Sequence, residues 1–266
     1  MNASNEQEYD NPAKRLHSVL TKMKAVHQTS AQFSNVFSEK ILEINASEAN
    51  PGMLLDSIRL LLQAVHETKI VISSHPDLNK ELYLKHLIQI ENGFCQLNLL
   101  GAWNEYVSKF PATAIVGLEI IADLIKNGTG MKEIPKDNLK EIKDDINNLF
   151  EKAKSSISDI YFRQFLLKHI SFLRAAIDQY DIYGPTGIKD ALAQFYGAYA
   201  LETCCFGEKG KNDQQEKEKK TFGETLLSTL KKIHDALVFI KDGNEVRVLA
   251  SPAFVSISHQ ISAILD

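Results

Sequence analysis

Apolar residues recur three, four or seven positions apart along most of this chain, the spacing with which a helix lays a stripe along one side. From Leu16 the first series runs through Val19, Met23, Val26, Phe33, Phe37, Ile41 and Ile44. Asn11 and Pro12 precede it, an N-cap residue followed by proline at the first helical position. The spacing predicts one long amphipathic helix, or two in near line, from Pro12 to Ile44. At 1.5 Å per residue it would reach roughly 50 Å. A helix of that length must lie along several others or meet a second chain, so Pro12–Ile44 is the expected surface for a protein partner or homodimer. Its polar side carries Lys14, Arg15, Lys22 and Lys24, without the interleaved aromatics of a nucleic-acid face.

The rest of the chain repeats the style. Asn50-Pro51 opens a helix carrying Leu54, Leu55, Ile58, Leu61, Leu62 and Val65, which ends before His75-Pro76 because proline disfavours helical geometry in the residue ahead of it. Asp77 then opens a helix through Leu78, Leu82, Leu87, Ile90, Phe94 and Leu97, and Gly101 bends or ends it. A short segment around Trp103 leads to Pro111. The stretch ATAIVGLEIIADLI, residues 112–125, is too short to span a bilayer and is interrupted by Glu119 and Asp123, so a buried or half-buried helix is expected, closed by Asn127-Gly128. Residues 128–135 form a loop. Further helices follow on Leu139–Ala153, on Phe162–Tyr180 after a cap at Ser158 or Asp159, and on Ile188–Leu201 after a tight turn at Gly184-Pro185-Thr186-Gly187. Ala193, Gly197 and Ala200 would let a neighbour approach closely. EKGKNDQQEKEKK, residues 208–220, is charged and free of apolar residues and reads as a mobile loop. A helix from Leu226 to Ile240 and another over Ala253–Leu265 complete the set. VFIKDGNEVRVL is the one place where a hairpin fits, with Asp242-Gly243 as a type I′ turn, although Leu237–Ile240 also continues the preceding helical period.

The fold expected is therefore all-α, about nine helices in a bundle-like or two-lobed arrangement, with at most one short C-terminal β-hairpin. Residues 1–10 are expected to be a disordered polar tail, and 11–266 a single helical domain with a charged mobile loop at 208–220; a sub-boundary at 128–135 is the alternative. In 266 residues, 44% of them hydrophobic, there is enough apolar material for a sizeable core. A net charge of −4 gives no bulk attraction to nucleic acid. The opening MNASNEQEYDNP has neither the basic nor the apolar region of a secretory signal, so a cytoplasmic protein with no membrane association is expected. Three cysteines, Cys95, Cys204 and Cys205, make no disulfide framework; Cys95 falls in a helical period and reads as core, and the adjacent pair as two buried thiols at a helix end.

Two stretches echo each other, residues 67–90 and 151–173. Each ends a helix near a serine-containing turn and then carries Leu-Lys-His, at Leu84-Lys85-His86 and at Leu167-Lys168-His169. Duplication of a helical hairpin and the general ease of aligning two amphipathic hairpins both account for it.

Few residues point to chemistry. Arg163 and His169 stand six apart on one predicted helix, a spacing that resembles the signature of the HEPN nucleases. The resemblance implies a metal-independent ribonuclease of the kind found in toxin and phage-defence systems. Arg163 would stabilise phosphorane charge beside a dimer cleft and His169 would transfer a proton. Gln164 stands where that family more often has Asn or Asp, and a six-residue step leaves the two side chains about 120° apart on the helix. Arg59 and His66 offer a similar spacing. The plain alternative is a surface arginine and a boundary histidine. His66 with Glu67, and His75 with Asp77, lack any HExxH or CxxC frame, so no metal is expected. There is no nucleophile elbow, and Gly128-Thr129-Gly130 lacks phosphate-loop spacing, so no cofactor is expected.

Residues 165–192, FLLKHISFLRAAIDQYDIYGPTGIKDAL, resemble a segment of uncharacterised bacterial all-helical proteins, in which a helix ending Ala-Ile-x-x-Tyr meets a glycine-containing turn. Trp103, Phe110 and the helix after them extend that resemblance over residues 50–200. It implies a helical fold and a bacterial origin, and no activity or site. The function expected from all this is a helical interaction or regulatory protein without catalysis; the alternatives are the ribonuclease and a small-molecule-binding helical bundle.

Overall fold

A computed structural model describes residues 9–27, 29–44, 51–76, 78–126, 130–206, 213–241 and 244–247. The chain forms two compact units, one of Met1–Gly130 with Asp181–Gly184, the other of Met131–Tyr180 with Pro185–Asp266.

The first unit contains α1 (Pro12–Ala25), α2 (Phe33–Val36), α3 (Pro51–Ser74), α4 (Lys80–Cys95), α5 (Trp103–Val107) and α6 (Ala112–Leu124). α1 lies against α3 and α6, and α4 also lies against α3 and α6, so these four helices close a ring around the core. The start of α1 follows from its sequence. The Asn11 side-chain oxygen accepts from the Ala13 and Lys14 amides, both at 3.1 Å, and its Nδ2 donates to the Ala122 carbonyl at 2.8 Å. One residue thus caps α1 and ties it to the end of α6.

The long helix expected over Pro12–Ile44 is not formed. α1 ends at Ala25, Val26 turns extended with ψ 125°, and the chain next enters a helix at Phe33. Thr29 Oγ1 accepts from the Ala31 amide, a local turn that competes with the helical ladder. The backbone then pairs elsewhere: Trp103 N donates to Ala31 O at 2.9 Å, and Phe33 N to Gly101 O at 2.8 Å. Phe37–Ile41 is a π-helical turn, stopped at Glu43 with φ 56°. The apolar stripe that suggested a partner surface is turned inward. Leu16, Val19, Met23, Phe33, Phe37 and Ile41 are all buried. Phe33 stacks on Phe37 and on Trp103, and its ring meets Tyr106 edge to face.

The second unit holds α7 (Lys136–Ser156), α8 (Ile160–Asp178), α10 (Asp213–Ala236) and most of α9 (Tyr180–Phe206). α7 lies against α8 and α10, while Phe165 and His169 of α8 meet Phe195 of α9. α10 begins at Asp213, so 213–220 of the expected charged loop is helical. Val238–Lys241 (β1) and Asn244–Arg247 (β2) pair antiparallel, Lys241 opposite Asn244, the hairpin that the sequence allowed; its turn residues Asp242 and Gly243 lie outside the described residues, as does the helix expected at 253–265.

α9 is broken at Gly184, with φ 58° and ψ −165°, a conformation open essentially to glycine alone. The expected four-residue turn is this single residue, after which Pro185 restarts the helix. Asp181–Gly184 belongs to the first unit, and there the Arg15 guanidinium covers Gly184. Arg15 pairs with Asp10 and, at 3.2 Å, with Glu67. Asp10, the last residue of the expected tail, is 2% exposed and paired with Arg15. Elsewhere, α4 is capped by Asn79, and α8 by Asp159. Asp77 lies outside the described residues. Among the described residues no helix is long and apolar enough to cross a membrane.

Candidate functional site

The HEPN-like pair sits on α8 in two different environments. Asp159 caps that helix by accepting from the Tyr161 and Phe162 amides, and Arg163 reaches back over the same end to donate from Nη1 to Ile157 O at 3.2 Å. His169 lies roughly 9 Å further along the axis at the usual helical rise. It is 7% exposed, with the rings of Phe165, Phe172 and Phe195 at 4.6, 5.9 and 6.1 Å. Arg59, in α3, is exposed beside Asp56 and Gln63, and His66 is exposed on the same helix. Glu67 accepts from Gln63 and pairs with Arg15. No group of three or more His, Cys, Asp or Glu side chains is placed to hold a metal among the described residues. Cys95 is exposed at the end of α4, where the spacing had suggested core: the last turn of the helix rotates it to solvent. The side chains of Cys204 and Cys205 lie outside the described residues.

The basic face of α1 is largely occupied. Arg15 is taken by Asp10 and Glu67, Lys22 is near Glu43 and Asp181 at 3.9 and 3.5 Å, and Lys24 Nζ donates to Val107 O. The small residues of α9, Ala193, Gly197 and Ala200, are exposed, and nothing lies within 4 Å of a side chain built at Gly197.

The feature that residue-by-residue reading missed lies along α4 and α6. Sequence alone shows α6 to be apolar on every side: only Glu119 and Asp123 interrupt ATAIVGLEIIADL. Helices of that kind are ordinarily covered all round. Here Ala114, Ile115, Leu118 and Ile121 are buried, while Val116, Ile120 and Leu124 are 53%, 50% and 40% exposed. These three follow one another at four-residue steps, one unbroken stripe.

α4 continues the surface. A side chain at Gly117 would meet the His86 ring at 2.5 Å, and one at Gly93 would meet Phe110 at 2.5 Å. Moving seven residues forward on α4 therefore moves seven backward from Gly117, so the two helices run antiparallel at close range. At about 100° per residue, Leu82, Lys85 and Gln89 lie to one side of His86, and Ile120, Leu124 and Val116 to one side of Gly117. For an antiparallel pair the two sides coincide. Leu82 is 51% exposed, and an open groove of about 630 Å³ runs round α4 past Glu81, Leu84, Lys85, Ile88 and Gln89. Glu119 and Asp123, both exposed, edge the α6 stripe, and neither has an ion pair or hydrogen bond within the described residues.

No protein family, curated protein or solved structure matches this chain.

Proposed function

We propose that this is a cytoplasmic interaction or regulatory protein without catalytic chemistry, and that it engages another protein through the outer face of α4 and α6. One observation carries the reading: Val116, Ile120 and Leu124, three large aliphatic side chains in one stripe, each at least 40% exposed, with Leu82 beside them. Scattered exposed aliphatics are ordinary on a protein surface, whereas a contiguous set on facing helices is the composition of an interface core. The partner surface is thereby moved from Pro12–Ile44, whose stripe is spent on the chain's own core, to a helical edge that keeps an unbroken apolar stripe.

The surroundings of His169 support the non-catalytic reading as well. A proton-transfer base must reach its substrate, and His169 lies beneath aromatic rings. The test is affinity capture with two full-length baits, wild type and Ile120→Lys. At least one captured protein is expected to be lost from the variant while its circular dichroism is unchanged; identical captured sets would overturn the proposal.

A further inference from the structure

The charges around the α4–α6 face narrow the partner's chemistry, an inference that rests on the interaction reading above. Within Ala112–Leu124 the only charged residues are Glu119 and Asp123; Lys126 lies past the end of the helix. On α4, Glu81 and Lys85 are the charges on the same side as Leu82, whereas Lys80 and Glu91 fall on the opposite side at about 100° per residue. Three carboxylates thus stand against one ammonium group, and among the described residues no side chain pairs with Glu81, Glu119 or Asp123. Two facing helices with an apolar seam between them form the kind of surface that takes a third helix by its apolar side. Carboxylates along the edge repel anionic lipid and nucleic-acid phosphate and favour lysine or arginine flanking the incoming stripe. A second copy of the same face would bring like charges together, which disfavours self-association here.

We infer that the α4–α6 face binds an amphipathic helix of another protein, its apolar residues three or four apart and its flanks basic. Ile120, Val116 and Leu82 take the apolar side chains, and Asp123, Glu119 and Glu81 meet the basic flanks.

The experiment uses the full-length chain and two synthetic helical peptides of about 18 residues with the same leucine stripe, one flanked by lysine and one by glutamate. Fluorescence anisotropy of the lysine peptide is expected to give a Kd on the order of 10 μM at low salt, weakening as salt rises. The glutamate peptide is expected to bind at least about tenfold more weakly. Ile120→Lys abolishes binding of the lysine peptide, and Glu119→Lys with Asp123→Lys reverses the preference between the two. Equal binding of both peptides, no binding of the lysine peptide, or unchanged binding to Ile120→Lys would each overturn the inference. If the lysine peptide fails while Ile120-dependent capture of a protein persists, the basic-helix inference falls and the interaction reading stands. If that capture is absent too, both fall.

Discussion

Gly184 shows how much a single residue carries. A side chain there would stand 2.3 Å from Arg15 Nη1 and 2.8 Å from Asp10 Oδ1, in a backbone conformation that L residues rarely adopt. Gly184→Ala is expected to cost about 3 kcal/mol, strain and displaced guanidinium together, read as a lower midpoint in urea unfolding. His169 and Arg163 supply a contrast. Removing the buried ring with His169→Ala should cost on the order of 2 kcal/mol, whereas Arg163→Ala, which loses one partly exposed hydrogen bond, should cost about 1 kcal/mol or less. Equal costs would show that His169 is not held by its aromatic packing. The tyrosines add a pH dependence. Burial pushes Tyr199 up to about 12 and raises Tyr106, Tyr183 and Tyr196 as well. Their neutral forms are favoured by folding, so that contribution is complete below about pH 10, where unfolded tyrosine titrates, and is lost as pH rises toward the folded values. Stability should therefore fall between pH 10 and about 12, with tyrosinate absorbance from these side chains appearing together with loss of helical signal.

Among the elements, the helix starts were the most legible. Asn11-Pro12 was read as a start from the sequence and is one, because an N-cap is a local bargain between one side chain and the next two or three amides. Asn11→Ala should cost about 2 kcal/mol by thermal unfolding, at the upper end for a cap, since the residue also serves the α6 carbonyls. The continuity of α1 was not legible. The period through Phe33, Phe37 and Ile41 is helical, but Thr29, Ala31 and Phe33 bond to the segment around Gly101 and Trp103, some seventy positions away. Periodicity records which side of an element is apolar; it does not record whether two in-phase elements are joined. The α4–α6 contact has the same character. Gly93 and Gly117 look like weak points in helical sequences, and in the structure they are where Phe110 and His86 are received. Gly117→Ala is expected to destabilise by about 1–3 kcal/mol, the usual cost of overpacking, measurable in the same unfolding assay.

For the whole molecule, the discontinuous first unit has a consequence. Arg15 and Ser57 face Gly184 and Tyr183, with Ser57 Oγ 3.4 Å from the Tyr183 hydroxyl, so residues 1–130 alone lack part of their own unit. A 1–130 fragment should melt at a lower temperature than the same residues in the full chain, followed by hydrogen exchange in α1 and α3; equal protection would show that 181–184 adds nothing. By itself the sequence determined the helical character, the caps at Asn11 and Asp159 and the chance of one hairpin, because these depend on neighbours within a turn or two. Only the tertiary structure decided that the Pro12–Ile44 stripe is consumed internally and that α6 keeps an apolar side in the open. Which side of a uniformly apolar helix is covered depends on which partners arrive, and those partners come from distant parts of the chain.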